Sequence, residues 1–210
     1  QCDWSSDVCT SDLEKRLLTE RPIACLLSGG IDSSIITAIV SRKLKARGLQ
    51  LKTFSIGMEG STDLEYAKKV ADFLQTDHTE VKLTSTDFLN AIPEVVRDIE
   101  SYDITTVRAS VGNWLIGKYI RDYSDCKVVF NGDGSDELTS GYLYFYNAPS
   151  AEESHKENLN LLNQIHYYDV LRVDRGISSQ GIEARVPFLS HKFVDLYLSI
   201  DKSQIGRAHV

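Results

Sequence analysis

Two short stretches of this chain hold groups that could do chemistry together. The first, "SGGIDSS" from Ser28 to Ser34, sets two glycines, three hydroxyls and one carboxylate behind the apolar run "IACLL". Gly29 and Gly30 let the backbone come close to a ligand. Free N–H groups at the start of a following helix carry partial positive charge, so the stretch suits phosphate. Ser28, Ser33 and Ser34 add donors, but the lysine of a Walker P-loop is missing. Asp32 is the odd member, because a carboxylate repels phosphate unless a cation stands between them, and Mg²⁺ is the simplest bridge. The same residues also suit a plain helix start, with the glycines making the turn and Asp32 or Ser33 capping it.

The second stretch, "NGDGSDE" from Asn131 to Glu137, again alternates glycines with acids. Asp133, Asp136 and Glu137 close together make sense around a metal ion or as an acid/base pair. An Asx-rich turn is an equal reading, and a calcium loop a poorer one, since the twelve-residue EF-hand pattern is absent.

Both stretches need elements to hold them. "IACLLS" (23–28) reads as a strand buried on both faces, and Ile35, Ile36, Ile39, Val40 and Leu44 form one stripe of a helix. Strands are expected at 51–58, 79–83 and 127–132, and helices from about Asp63, over 88–99 and over 109–123, with a mostly helical part after Ala151. Alternating strands and helices predict an α/β fold with a doubly wound parallel sheet and ligands beyond the carboxyl ends of the strands. The chain has 210 residues, 42% of them hydrophobic, and a net charge of -7, which fits one domain and argues against a nucleic-acid partner. Four cysteines without C-x-x-C spacing fit a reducing, cytoplasmic setting, and no apolar run is long enough to cross a bilayer, so no membrane partner is expected. His78, His155, His166 and His191 are scattered and read as structural or surface residues. The aromatics of 142–149 read as core and helix packing, and "SRKLKAR" (41–47) as the solvated end of a helix.

The termini look foreign. "QIGRAHV" (204–210), written as codons and reverse-complemented, translates almost into "DVCTSDL" (7–13), with Thr10 one base away from serine. Residues 1–13 and 204–210 are therefore expected to be adapter-derived tails around a natural segment, 14–203, cut from a longer reading frame, and Cys2 is given no role.

S-G-G-x-D-S at Ser28–Ser33 resembles the pyrophosphate loop of the ATP pyrophosphatases, the PP-loop or adenine nucleotide alpha hydrolase-like group. With "TFSIGMEGSTDLEYA", "SYDITTVRAS", "NGDGSDELTSGYLYFYNAP" and "GIEARVPFLSHKFVDL" in order, the chain resembles the synthetase domain of the asparagine synthetase family over nearly all of 14–203. The resemblance implies activation of the aspartate side chain by ATP as an acyl-adenylate, then attack by ammonia to give asparagine, AMP and pyrophosphate. It puts Ser28, Gly29, Gly30, Asp32 and Ser33 at the pyrophosphate, Asp32 and Asp136 on Mg²⁺, Leu26 and Ile56 beside adenosine, and Gly132 in backbone contact with AMP. Thr105, Thr106 and Arg108 fall on the substrate side, and Arg108 could equally be a surface or capping arginine. Asp133 stands where the family more often has a glutamate that takes a proton from ammonia, so the carboxylate is kept with one methylene less reach. Residues 184–187, "ARVP", match a family signature read here as packing, with no catalytic part for Arg185.

The resemblance also implies a homodimer for the whole enzyme. Its glutamine-dependent members carry an N-terminal glutaminase domain, which has no room ahead of the first strand, so glutamine is not expected to serve this chain as donor, and ammonia, or glutamine-derived ammonia in the whole enzyme, is the expected nitrogen source. A β-lactam synthetase-like adenylating enzyme and a nucleotide-binding homologue without turnover remain open. Amide formation from aspartate, ring closure, or ATP binding without AMP release separates the three.

Overall fold

A computed structural model describes residues 13–201 and Ile205. The expected terminal tails lie outside these residues apart from Leu13 and Ile205. Among the described residues, five strands form: β1 (Ile23–Leu26), β2 (Lys52–Gly57), β3 (Asp77–Lys82), β4 (Val128–Phe130) and β5 (Glu183–Arg185). They form one sheet in the order β3-β2-β1-β4-β5, and every neighbouring pair is parallel. The chain works outward from β1 through β2 to β3 and then returns to the other side of β1. The crevice at the carboxyl ends of β1 and β4 is therefore the point where the winding reverses, the place such sheets hold ligands.

Consecutive strand residues point to opposite faces, and the two cores follow that alternation. Cys25, Val128 and Phe130 pack on one face against Ile36, Val40 and Leu44 of helix α1 (Ile31–Lys45), with Phe188. Ala24, Phe54 and Val129 pack on the other against Ile116 and Ile120 of α4 (Ile104–Tyr123) and Val173 and Ile177 of α7 (Asp169–Ser178). Helix α2 (Thr62–Leu74) covers Leu27 with Ala67 and Ala71. Helix α3 (Ser85–Ile99) stacks on α4 through Val95, Ile99, Val111 and Trp114. The acidic α5 (Ser135–Thr139), then α6 (Ala151–Gln164) and α8 (His191–Leu198), complete the helical part.

The structure differs from the sequence reading at particular places, each with a cause. Of the expected α1 stripe, Ile35 is 43% exposed. Helix α3 starts three residues earlier than the apolar pattern because Thr84 and Asp87 form a reciprocal capping box. Helix α4 starts at Ile104 because the Asp103 side chain accepts from the Thr106 N–H at 2.8 Å. Residues 184–187, expected only to pack, begin inside strand β5, where Ala184 pairs with Val129; three residues with a single apolar member carry no strand signal of their own. Among the described residues, no helix is long and apolar enough to cross a membrane.

Candidate functional site

The loop after β1 is braced by its own hydroxyls. Ser28 Oγ and Ser33 Oγ lie 2.9 Å apart, the Gly30 N–H donates to Ser28 Oγ at 3.3 Å, and Ser33 Oγ–H donates to the Gly30 carbonyl at 3.1 Å. Gly29 sits at φ 84°, and a β-carbon there would stand 2.5 Å from the Ala67 nitrogen of α2, so only glycine fits this turn. Gly30 is the residue that caps α1, and no side chain caps the helix. The capping alternative for Asp32 or Ser33 is thus not what the structure adopts, and the first-turn N–H groups of α1 stay available to a ligand.

The loop after β4 is the opposite in character. It is fastened by the Asn131 N–H donating to the Arg185 carbonyl at 3.1 Å, and by Leu189 pressed on Gly134, where a β-carbon would approach to 2.5 Å. Gly134 takes φ 86° and turns the chain into α5. Asn131 Nδ2 donates to Asp133 Oδ2 at 3.0 Å. The Asp136 carboxylate lies over Gly141, leaving no room there for a β-carbon. Glu137 is fully buried, accepts a hydrogen bond from the Tyr142 hydroxyl, and has its backbone carbonyl held by Asn158 Nδ2 at 2.7 Å.

The two loops meet. Ser135 Oγ donates to Asp32 Oδ1 at 2.9 Å, and a β-carbon on Gly132 would stand 3.0 Å from the Ser33 nitrogen. Together they wall a cavity of about 430 Å³. Burial raises the carboxyl of Asp32, partly offset by Ser135. Burial also raises Asp136, with the charges of Asp32 and Glu137 adding to it. Asp133 is pushed up to about 6, first by burial, with Arg172 opposing and Glu137 and Asp136 adding. A carboxyl poised near 6 can take a proton at neutral pH. Among the described residues, no group of three or more His, Cys, Asp and Glu makes a closed metal cage. Asp32 and Asp136 instead suit a cation that shares its coordination with phosphate oxygens, as Mg²⁺ usually does.

Of the residues singled out in the sequence, Leu26, Ser28, Asp32, Ser33, Ile56, Gly132, Asp133 and Asp136 line this cavity. Gly29 and Gly30 shape its loop without lining it. Thr105, Thr106 and Arg108 are not brought to it: they occupy the first turn and a half of α4, where Thr106 is buried and Thr105 and Arg108 are exposed. Arg185, given no catalytic part, ties β5 to the preceding chain by donating to the carbonyls of Arg16 and Leu18.

Sequence reasoning passed over several lining residues. Asp169 and Arg172 form a sheltered ion pair on α7, and their i, i+3 spacing was the one available signal. Tyr142 lines the cavity and bonds Glu137, which corrects the reading of its segment as packing alone. Asp63 and Asn113 carried no local pattern.

The sequence matches the family model described as asparagine synthase over residues 10–162 and 148–205. It is 52% identical over 190 residues to "Asparagine synthetase [glutamine-hydrolyzing]" of Homo sapiens and 51% identical over 190 residues to that of Mus musculus. Each alignment covers 90% of this chain and 34% of the relative, so the chain spans about a third of the length of these curated relatives. Among solved structures, U34-tRNA thiolase NcsA from Methanococcus maripaludis superposes with a TM-score of 0.50 over 95% of this chain and 64% of that one, at 11% identity, a likeness of fold alone.

Proposed function

We propose, from the premise that this chain belongs to the asparagine synthase family, that it is the ATP-using part of an enzyme that converts aspartate and ammonia to asparagine, with release of AMP and pyrophosphate. The carrying observation is the meeting of a donor loop and an acid loop in one cavity at the switch point of the sheet. The apolar wall of Leu26, Phe54 and Ile56 suits adenosine, and the Gly132 backbone, which packs against Asp32 and Ser33, lines the same cavity. The open N–H groups of α1 would hold the β- and γ-phosphates, and their partial positive charge favours pyrophosphate as the leaving group.

Asp32 and Asp136 would hold Mg²⁺, which when bound supplies charge neutralisation for the departing pyrophosphate. Removing Asp32 or Asp136 should then slow the first, adenylating half of the reaction. Asp133, poised near 6, would take the proton from ammonia as it attacks the activated carboxyl carbon. The buried Glu137, which accepts from the Tyr142 hydroxyl, lines the same cavity. Ammonia, free or derived from glutamine elsewhere in the whole enzyme, is the nitrogen donor in this reading. A cytoplasmic setting accords with the buried free thiols of Cys25 and Cys126, and homodimerisation of the whole enzyme follows the family resemblance.

The test supplies the whole protein carrying this chain with ATP, Mg²⁺, aspartate and ammonium, and measures products. Asparagine and AMP in equal amounts are expected. ADP in place of AMP, or nucleotide cleavage independent of aspartate, overturns the reading.

A further inference from the structure

The uncharged polar side chains of the cavity wall are nearly all committed to one another or to their neighbours. Ser28 and Ser33 bond each other, Ser55 bonds His78, Ser135 bonds Asp32, Asn131 bonds Asp133, and Tyr142 bonds Glu137. Asn113 is the exception. Its amide has no hydrogen-bond partner among the described residues, although the side chain lines the cavity and the residue is half-buried. A polar group sheltered in this way gains most from a ligand that supplies its missing bonds.

Its place on α4 says which part of a ligand it meets. Asn113, Ile116 and Ile120 fall at i, i+3 and i+7, on one face of the helix. The two isoleucines share a core cluster with Phe54, and Leu26 and Ile56 pack against that cluster. Asn113 and Ile116 line the cavity and Ile120 does not, so the stripe runs out of the core into the site with Asn113 at its outer end. The backbone there is well supported, since a β-carbon built on Gly176 of α7 would stand 3.7 Å from that of Asn113. The amide therefore continues the apolar wall assigned to adenosine, and it is neutral, as a base is.

Leu26, Phe54 and Ile56 accept the flat face of any purine, because an apolar surface does not sense what the ring carries at its edge. Choosing adenine takes a donor and an acceptor set side by side against that edge. A carboxamide has both, and it can meet the exocyclic amine and an adjacent ring nitrogen of adenine with two hydrogen bonds. We propose that Asn113 reads the edge of the adenine base, its carbonyl accepting from the exocyclic amine and its amide N–H donating to the ring nitrogen. This rests on the reading of the cavity as an ATP site and adds the side chain that selects the base. A purine nucleotide without the amine leaves the amide oxygen unpaired and is bound less well.

The experiment measures aspartate-dependent pyrophosphate exchange in the whole protein, with ATP and with purine riboside triphosphate, which lacks the amine, for wild type, Asn113→Leu and Asn113→Ala. Wild type must exchange with ATP; if it does not, the underlying functional reading fails and this proposal with it. Given exchange, Asn113→Leu should raise the KM for ATP by about 10-fold, with the KM for purine riboside triphosphate and for aspartate each within about 3-fold of wild type. The preference for ATP over the analogue then collapses, a change that a merely structural role would not produce. Equal increases for the two nucleotides, an unchanged KM for ATP, or a rise confined to aspartate overturns the proposal. Leucine has nearly the shape of asparagine and suits a helix better, so α4 should survive the change. If Asn113→Leu fails to fold, Asn113→Ala decides it by the same measures.

Discussion

The two loops that wall the cavity stand on adjacent parallel strands yet are built on opposite principles. The loop after β1 spends its hydroxyls on bracing itself, Ser28 to Ser33 and Ser33 to Gly30, and offers a ligand its backbone. The loop after β4 buries carboxyl groups and offers a ligand its side chains. A donor surface made of main chain has a fixed direction and no titration. A surface made of buried acids is costly at neutral pH unless a cation or a proton joins it. One loop is therefore complete before any ligand arrives, and the other is completed by what it binds.

The sharpest way to break that contrast is to remove one charge from the acid side. Asp136→Asn should lower aspartate-dependent pyrophosphate exchange by about 1,000-fold, and Asp32→Asn similarly, because each leaves the cation a single carboxylate beside the phosphates. Exchange near the wild-type rate in both variants would show that no metal is held there. A second change tests the donor side, where shape should matter more than charge. Gly29→Ala meets both a left-handed φ and the α2 backbone, and should cost about 3 kcal/mol in denaturant unfolding. Gly60→Ala has a similar φ of 77° but nothing within 4 Å of its new carbon, and should cost only about 1 kcal/mol. Equal losses would mean that the close approach of α2 does not constrain the loop.

A third change concerns Asp133. Its folded carboxyl, near 6, lies above the ordinary value of 3.8, so the folded state holds this proton more tightly than the unfolded chain. That contribution is fully present below about pH 4 and is lost as the pH rises through 6. Asp133→Asn should then stabilise the protein by roughly 2 kcal/mol at pH 7 and by much less at pH 4, as thermal unfolding at the two values would reveal. The same carboxylate should make the amide-forming rate climb through about pH 6 in the wild type. An increment independent of pH would mean that Asp133 is not strained by burial.

The sheet and both loops were legible in the sequence because they are local: apolar runs such as "IACLL" and "KVVF" ended by glycine mark buried strands and the turns after them. The partnership of the loops followed from topology, since any two strands flanking the switch point deliver their loops to one crevice. What escaped depends on long-range placement. Asp169 and Arg172 look like any surface i, i+3 pair until α7 is seen to face the cavity. Arg108 looks like a ligand because its motif is distinctive, yet a helix that buries Val107 and Val111 turns Arg108 outward. Strand β5 gains its extended form from β4 rather than from its own residues.

One contact also sets a schedule. Leu189 presses on Gly134, and the Arg185 carbonyl takes the Asn131 N–H, so the acid loop is fastened by residues made long after it. Roughly 50 residues separate the loop from its fastening, which at ~5–20 residues per second on the ribosome is a delay of several seconds. The donor loop needs only β1, α1 and α2, all synthesised earlier. A nascent chain therefore completes its donor loop well before the acids are locked into position beside it, and the two halves of the cavity wall are joined only once β5 has docked.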